Sequence, residues 1–369
     1  MATLLREGGH EVEVFVISTK DGASVFDQGV RVQRVPVRVS TLDRLILAVA
    51  RRLTWRMWPV VQDVIYAWRL ARALERRHRT HPFEVVQSSN YGLTGLFVSR
   101  RALRTHIVRV STSRVLYDEI DGRVRWASRL IELLDVKTMR RADASYAPSD
   151  FLAAYFRNTY GVPVKVLRPP YALGTSPARA LEFSVPDRFF IHFGDLSKRK
   201  GTDVVAEALA LAWQEQPDLK MVWVGNDVQR ILEKSGDRWR ASGNQAIWLG
   251  PLPREQLYRL IELADVAVLP SRIDNLPNTV LESLALGTPV IGSRGASIEE
   301  MVEPGRNGDL VPLGDAHALA NAMLRAWRNE APWVGKGFRS PEIFTTMTPQ
   351  NALEGFLNLS HARGNVGKR

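Results

Sequence analysis

The chain has 369 residues, 45% of them hydrophobic and 24% charged, a composition typical of a globular protein with about two ordinary domains. It contains no cysteine, which excludes disulfides, thiol catalysis and cysteine-bound metals and fits a reducing, cytoplasmic compartment. No run approaches the roughly 20 apolar residues of a membrane span, and the first residues lack the apolar core of a signal peptide.

The positive charge is concentrated in the first part of the chain. The formal net charge is +11; residues 1–170 contain 28 Lys and Arg against 16 Asp and Glu, whereas residues 171–369 contain 22 against 23. This asymmetry indicates an anionic surface, a membrane or a nucleic acid, as a partner of the first half. No nucleic-acid recognition motif accompanies the charge, so we expect no nucleic acid to bind.

The chain opens inside a helix, which residues 1–9 predict to close on Gly8-Gly9. Strands are then predicted at residues 10–18 and 30–37 from their alternating apolar and polar residues. An α/β domain of this kind should begin with a strand and a glycine-containing loop before its first helix. The first strand is therefore predicted to be missing, and we favour a late-assigned start or a truncation over a domain that lacks this strand.

Residues 43–79 are rich in Arg, Trp and Leu and predict a helix. One apolar stripe contains Val60, Val64, Ala67, Ala71 and Leu74. This stripe favours an amphipathic helix that packs on its own sheet. The alternative is that basic and aromatic residues lie on anionic lipid. Those residues are Arg51, Arg52, Trp55, Arg56 and Trp58.

Strands alternating with helices indicate two doubly wound α/β halves. In the first half, further strands are predicted at residues 84–88, 107–110, 144–147 and 165–167. In the second half, strands are predicted at residues 189–193, 221–224, 247–249, 266–269, 290–291 and 310–311, and helices at 203–214, 254–263, 279–286 and 317–328. The predicted domains are residues 1–170 and 187–345, joined by a proline-rich linker at 171–186. The segment 346–369 is predicted to contain a last helix that crosses back to the first domain.

Residues 264–293 form a predicted strand–loop–helix–strand unit with two acids. Asp274 lies in the loop after the strand, and Glu282 lies on the predicted first turn of the helix, which ends with Gly287 as its C′ residue. In open parallel sheets ligands bind at the carboxyl ends of strands, and a helix N-terminus favours an anion. The alternatives are that Asp274 caps the helix and that Glu282 merely complements the helix dipole.

A second loop, after the strand at residues 189–193, is basic. Gly194 allows a ligand to approach the backbone closely, and Lys198, Arg199 and Lys200 beside a helix start suit a phosphate. The spacing is not that of a P-loop, and a solvated basic loop is the alternative. If the two loops share one crevice, the carboxylates bind hydroxyls and the cations bind phosphates, which together favour a nucleotide sugar as ligand.

The second half resembles the retaining glycosyltransferases of family four, which have the GT-B fold of two Rossmann-like domains facing across a cleft. The matching segments follow one another over about 120 residues and are FGDLSKRKGTD, MVWVGN, IWLGPLPREQL, ADVAVLPS, DNLPNTVLESLALGTPVIGS and EEMVEPGRNGDLV. The first half matches more loosely through GGHEVEVF, RRADASYAPSDF and VLRPP.

The resemblance implies a role for each matched position. Glu282 would bind the nucleotide ribose, Asp274 would lie near the donor sugar, and Lys200 would neutralise the diphosphate. The remaining expected donor-binding residues are Gly194, Arg199, Asn275, Leu276, Pro277, Asn278 and Thr279. Lys200, Asp274 and Glu282 are the expected catalytic residues.

The sequence departs from the family pattern at three places. Asp195 stands where the family usually has Arg, a position at which Lys198 or Arg199 could substitute. Ser111, on the acceptor side, stands where many members have a His near the reaction centre. The first strand with its glycine loop is the third departure.

The resemblance implies transfer of a sugar from a nucleotide sugar to a lipid-linked or glycan acceptor, with retention of configuration and without a metal or other cofactor. Synthesis of cell-surface polysaccharide or glycolipid is the expected setting. The basic first half would take the acceptor at the inner membrane surface, which places the protein in the cytoplasm or peripherally on that membrane. The alternative is a non-catalytic or truncated homologue that binds nucleotide sugar without turnover.

Overall fold

The computed structural model describes residues 1–18, 24–36, 52, 57–99, 105–173, 181–234, 245–335, 337–338 and 341–361. The chain divides into two compact units, Met1–Pro170 with Thr346–Arg369, and Tyr171–Thr345. Each unit is built on parallel strands connected by helices, as the sequence pattern predicts for two doubly wound halves. Among the helices within these ranges, none combines the length and the apolar character needed to cross a membrane.

In the described ranges, the first unit contains seven strands in two sheets. They are β1 Glu13–Ser18, β2 Val25–Asp27, β3 Val30–Pro36, β4 Val85–Ser89, β5 Thr105–Arg109, β6 Ala144–Ala147 and β7 Lys165–Val166. The sheet orders are β1-β3-β2, in which β2 is antiparallel, and β4-β5-β6-β7, which is parallel throughout. Six of the seven strands overlap predicted ones. The sequence did not predict β2, because its three residues are all exposed and therefore show no alternation of apolar and polar side chains.

Two edge strands, β1 and β4, flank the position at which the predicted missing strand would lie. In the part of the chain that the structure describes, β1 is paired only with β3, and β4 is paired only with β5. In the common doubly wound order 3-2-1-4-5-6, the first strand lies between the strands that correspond to these two edges. The absence of that strand from the sequence stays a prediction.

The helices of the first unit are α1 Ala2–Glu7, α2 Trp58–Thr80, α3 Arg114–Ile120, α4 Trp126–Arg141, α5 Asp150–Tyr160 and, after the second unit, α12 Pro349–Ser360. The apolar stripe of α2 is packed as predicted, because Val60 and Ala67 lie in one buried cluster with Ile131 of α4. Helix α12 packs on the parallel sheet, where the Thr105 hydroxyl donates to the Ser360 carbonyl oxygen at 3.2 Å.

The opposite face of α2 is open to solvent. Trp68 is 47% exposed, and Arg72, Arg76 and Arg79 are exposed on the same face, since they follow at helical spacing. The guanidinium carbon of Arg72 lies 4.9 Å from the centre of the Trp68 ring. Of the residues predicted to lie on lipid, Arg51, Trp55 and Arg56 fall outside the described residues.

The described residues of the second unit form a six-stranded parallel sheet. Its strands are β8 Phe190–Phe193, β9 Met221–Val224, β10 Ala246–Trp248, β11 Val266–Leu269, β12 Val290–Ser293 and β13 Gly308–Val311, in the order β10-β9-β8-β11-β12-β13. Its helices are α6 Thr202–Glu215, α7 Ile231–Lys234, α8 Arg254–Leu263, α9 Asn278–Ala285, α10 Ala316–Trp327 and α11 Ile343–Thr346. The predicted strands and helices of this half are confirmed to within two residues at each end.

One prediction in this unit is wrong. Helix α9 begins at Asn278, one residue earlier than predicted, so Glu282 lies in the second turn and not the first. The N-cap residue is Pro277, whose ring already holds the φ angle near that of a helix. At the other end Gly287 has φ +84°, which confirms it as the C′ residue.

Candidate functional site

The candidate site lies at the carboxyl ends of two adjacent central strands, β8 and β11. The strand order of the sheet reverses between them, because β9 and β10 follow on one side and β12 and β13 on the other. Ligands of open α/β sheets bind at such a switch point. The loop after β8 and the loop after β11 are therefore brought to one place, as the sequence pattern predicts.

An ion pair joins these two loops. The Lys200 ammonium contacts Oδ2 of Asp274, and the two side chains are 13% and 14% exposed. Nη1 of Arg199 lies 3.9 Å from the same carboxylate oxygen and Nη2 of Arg199 lies 3.6 Å from Asp195. Lys200 and Asp274 are therefore not parts of two independent solvated loops.

The structure excludes a helix-capping role for Asp274. No side chain caps α9; Oδ1 of Asp274 instead accepts from the backbone N–H of Asn275 at 3.1 Å. The Ser297 hydroxyl donates to the backbone carbonyl of Asp274 at 2.9 Å. These two bonds fix the loop after β11 while its carboxylate faces Lys200.

Glycines bring the strand ends unusually close. Gly225 directly follows β9 with φ +131°, and a Cβ at this position would lie 1.8 Å from the carbonyl oxygen of Gly194. Gly194 directly follows β8 with φ +110°, and a Cβ there would lie 3.3 Å from Cγ2 of Thr279. The predicted site residue Gly194 therefore lies beside the start of α9, which leaves backbone groups accessible to a ligand.

The start of α9 contains an unsatisfied hydroxyl. Oγ1 of Thr279 is buried and has no hydrogen-bond partner among the described residues. Asn278 is exposed, whereas Leu276 is half-buried and Pro277 is buried. A buried hydroxyl without a partner is uncommon in native proteins, and this one lies at the N-terminus of α9, the end at which a helix favours an anion.

Glu282 faces the same site from the second turn of α9. Burial raises the pKa of its carboxyl group above the ordinary value; a hydrogen bond from Tyr258 and the charges of Arg254 and Lys200 act in the opposite direction. Lys200 thus contacts Asp274 and also lowers the pKa of Glu282 through its charge. That these three residues bind one ligand with both hydroxyls and phosphates stays a prediction.

A buried histidine lies under the basic loop. His192 of β8 is 1% exposed; its Nδ1–H donates to the carbonyl of Val268 at 2.6 Å, and its Nε2 accepts from the Thr202 hydroxyl at 3.0 Å. Burial lowers the pKa of His192 to about 4, and the charge of Lys200 lowers it further. The imidazole is therefore neutral at physiological pH and ties β8 to β11 and to α6.

Ser111, which the family resemblance predicts to lie on the acceptor side, belongs to the first unit. It follows β5, and its backbone N–H donates to Oδ1 of Asn90 at 2.7 Å. Its hydroxyl lies 3.4 Å from the hydroxyl of Ser89. Two residues further, the Ser113 hydroxyl donates to the buried carboxylate of Glu132. The loop that carries Ser111 is thus fixed at the carboxyl end of the parallel sheet.

Sequence reasoning missed four residues of the site in the second unit: Tyr171, His192, Tyr258 and Arg272. Arg272 donates to the Lys198 carbonyl at 2.6 Å and pairs with Asp203, so it clamps the basic loop. Only its position in the chain, two residues before Asp274, could have indicated that Arg272 belongs to this site. His192, Tyr171 and Tyr258 come from a strand, a connecting segment and another helix, and their spacing along the chain indicates no common site.

In the described ranges, no group of three or more His, Cys, Asp or Glu side chains is arranged to hold a metal ion.

Comparisons with known proteins match both units. The family model for glycosyl transferases group 1 matches residues 187–329, and that for a glycosyl transferase 4-like domain matches residues 1–172. Similar proteins include the amylovoran biosynthesis glycosyltransferase AmsK of Erwinia amylovora, 30% identical over 38% of this chain and 36% of the relative. The GDP-mannose-dependent alpha-(1-6)-phosphatidylinositol dimannoside mannosyltransferase of Mycobacterium tuberculosis is 26% identical over 65% of this chain and 64% of its own length.

The matches thus span between about a third and two thirds of the curated relatives' length. Among solved structures, sucrose-phosphate synthase from Thermosynechococcus elongatus is similar with a TM-score of 0.67 and 18% identity, over 100% of this chain and 90% of that one. Anabaena HepE in complex with UDP and glucose has a TM-score of 0.66 and 17% identity, over 95% and 99% of the two chains. These likenesses confirm the two-domain α/β fold class.

We predict that the second unit loses stability as the pH falls from 6.5 to about 4, because His192 remains neutral in the folded state while the unfolded chain takes up a proton. The loss should amount to about 3 kcal/mol. Urea unfolding at pH 7.5 and pH 4.5 measures it. His192→Gln should be less stable than wild type at pH 7.5 and should show a smaller loss on acidification.

The matched control is His317→Gln, because His317 is exposed in the same unit. It should keep the wild-type pH dependence. An unchanged pH dependence in His192→Gln would show that His192 does not cause the acid instability.

Proposed function

The chain belongs to the glycosyltransferases of family four, with the two-domain GT-B fold, and on this premise we propose that it transfers a sugar from a nucleotide-sugar donor to a lipid-linked or glycan acceptor with retention of configuration. The observation that carries the proposal is the Lys200–Asp274 ion pair at the switch point. The charge of Lys200 also lowers the pKa of Glu282. This arrangement presents one cation and two carboxylates to a single ligand.

In the proposed complex, Glu282 accepts hydrogen bonds from the ribose hydroxyls, and the diphosphate lies between Lys200 and the N-terminus of α9. The unsatisfied hydroxyl of Thr279 would donate to a phosphate oxygen there. Arg199, 3.9 Å from Asp274, would supply the second positive charge that the family usually takes from the position of Asp195. The donor sugar would be contacted by backbone groups of Asn275, Leu276, Pro277 and Asn278.

Donor binding would exchange partners within the ion pair. In the structure, Lys200 is neutralised by Asp274. When a diphosphate arrives, it offers Lys200 a stronger anionic partner, and the carboxylate of Asp274 becomes available to the hydroxyls of the donor sugar. Because both side chains are largely buried, the electrostatic interactions with the ligand are stronger than they would be in water.

In the proposed reaction the bond between the anomeric carbon and the diphosphate oxygen breaks, and a bond from the acceptor hydroxyl forms on the same face. The acceptor proton passes to the departing diphosphate. Lys200, Arg199 and the α9 N-terminus stabilise the negative charge that develops on the leaving group, which is the main catalytic contribution. Because side chains meet this charge, we propose that no metal or other cofactor takes part.

The relatives support the substrate classes. The Mycobacterium tuberculosis protein is named for transfer from GDP-mannose to a phosphatidylinositol dimannoside, and the Erwinia amylovora protein for amylovoran synthesis. The Anabaena HepE structure contains UDP and glucose. By analogy, the acceptor here would be a membrane glycolipid or a cell-surface glycan, bound by the basic first unit from the cytoplasmic side.

The alternative function is a homologue that binds nucleotide sugar without turnover. Asp195 favours it, since this carboxylate pairs with Arg199 at 3.6 Å and draws positive charge away from the phosphates. Transfer or hydrolysis of a donor by the wild-type protein would exclude this alternative.

We predict that Lys200→Ala weakens binding of nucleoside diphosphates at least about tenfold and lowers turnover about 100-fold or more, because the leaving group loses its main cation. Isothermal titration with UDP, GDP and ADP, followed by donor hydrolysis, measures both effects. Lys198→Ala, which removes the exposed neighbouring lysine, should change either value less than about twofold.

Lys200→Ala also leaves Asp274 without its main partner. The double variant Lys200→Ala/Asp274→Asn removes this unpaired charge and should recover most of any lost thermal stability, but not the affinity. If the double variant binds nucleoside diphosphate as well as wild type does, Lys200 does not hold the phosphates.

Retention of the anomeric configuration can be tested separately from donor binding. Proton NMR of the product should show the anomeric coupling constant of the donor sugar, because the acceptor attacks the face that the diphosphate leaves. The inverted coupling constant in freshly formed product would contradict the proposed mechanism but not the donor site.

For the membrane, we predict that Arg72→Glu/Arg76→Glu lowers binding to vesicles of phosphatidylglycerol and phosphatidylcholine about tenfold or more, because two cations on the exposed face of α2 are reversed. Co-sedimentation measures the bound fraction. The control Lys234→Glu/Arg306→Glu makes the same charge change at exposed positions of the second unit and should retain binding. Equal binding by wild type to neutral vesicles would refute an electrostatic role.

A further inference from the structure

The carboxylate of Glu282 has neighbours that the sequence did not indicate. The Tyr258 hydroxyl of α8 donates to Oε1 of Glu282 at 3.3 Å. The guanidinium carbon of Arg254, one turn earlier on α8, lies 5.9 Å from the centre of the Tyr258 ring. Helix α8 thus brings a hydrogen-bond donor and a cation to a carboxylate that is more than half buried. These contacts hold Glu282 in one orientation.

Tyr171 adds a second hydroxyl to this group. Burial raises its pKa above the ordinary value, and the nearby charges of Glu282 and Tyr258 raise it further. Its hydroxyl oxygen is buried and has no hydrogen-bond partner among the residues that the structure describes. The ring itself is held in place, because it packs on Phe344 with ring centres 5.4 Å apart. The ring is thus fixed by Phe344, and its hydroxyl is a buried donor whose pKa is affected by the charge of Glu282.

An unsatisfied buried hydroxyl costs free energy, so its usual explanation is a partner that arrives with a ligand or a bound water. A carboxylate can only accept hydrogen bonds from ribose hydroxyls. The ribose oxygens then still need a donor, and Tyr171 is a donor close to Glu282. The chemistry of the two side chains is therefore complementary to one pair of hydroxyls.

We propose that the Tyr171 hydroxyl binds the ribose of the donor nucleotide together with Glu282, and that Tyr258 is the positioning residue that orients Glu282. This inference rests on the proposed function, since it requires a nucleotide at the switch point. It adds two residues to the nucleoside part of the site, and it assigns to Tyr171 a ligand contact rather than a purely structural role.

The test compares two ligands on two proteins. Isothermal titration is carried out with the nucleoside diphosphate that wild type binds best and with its 2′,3′-dideoxy analogue. Tyr171→Phe, which keeps the ring against Phe344, should weaken the ribonucleotide about tenfold, as expected for the loss of one buried hydrogen bond. The dideoxy analogue should bind both proteins equally, because it lacks the hydroxyls that Tyr171 contacts.

Tyr66→Phe is the matched control, since it removes a tyrosine hydroxyl in the first unit, and it should leave both affinities unchanged. Equal ribonucleotide affinity of Tyr171→Phe and wild type would overturn the inference and indicate that water satisfies the hydroxyl. Equal losses for both ligands would also overturn it, because the effect would then not involve the ribose.

Tyr258→Phe tests the positioning role through the pH profile of binding. Burial raises the pKa of Glu282, whereas the Tyr258 hydrogen bond, Arg254 and Lys200 lower it; Tyr171 is the other titratable group that faces it. Removal of the hydrogen bond should move the acid limb of the ribonucleotide affinity to higher pH and leave the dideoxy profile unchanged. An acid limb at the wild-type pH would refute this role.

The proposed function and this inference fail in different ways. If wild type binds no nucleoside diphosphate, both are overturned. If wild type binds and Lys200→Ala does not, but Tyr171→Phe binds as wild type does, the donor site stands and only the role of Tyr171 is refuted.

Discussion

The candidate site depends on the ion pair between Lys200 and Asp274. The two residues belong to loops that follow different strands, and the pair joins these loops at the switch point of the sheet. Both side chains are largely buried, so each charge needs a partner. Asp274 provides that partner to Lys200, and in the proposed complex a diphosphate replaces it. The same interaction that holds the loops together therefore keeps in position the cation that we propose to bind the phosphates.

The groups beneath and beside this pair suit a single negatively charged ligand. His192 is buried under the loop but neutral, so it adds no second positive charge that would repel Lys200. Glu282 is partly buried, and Tyr258 and Arg254 counteract the effect of that burial on its pKa. One end of the site thus favours an anion, while the other keeps a hydrogen-bond acceptor. This separation fits a ligand whose charge and hydroxyls lie at opposite ends.

Much of the second unit could be predicted because its strands are short apolar runs with glycine or proline at their ends. The loops with Lys200 and Asp274 were recognised from these local patterns together with the family resemblance. The pattern placed the start of α9 one residue too late, because Pro277 can precede a helix as its N-cap, and Glu282 was therefore assigned to the first turn instead of the second. His192, Tyr171 and Tyr258 could not be predicted, since tertiary packing alone brings them to the site. In the first unit, β2 was missed because three exposed residues have no periodicity.

The approach of Gly225 to Gly194 constrains how this unit can be engineered. The position of a Cβ on residue 225 is occupied by a carbonyl oxygen, so every other amino acid would push two neighbouring strand ends apart. A combinatorial library intended to alter donor preference should therefore leave this position untouched. Diversity is better introduced in side chains such as Arg199, whose replacement changes charge without moving the backbone.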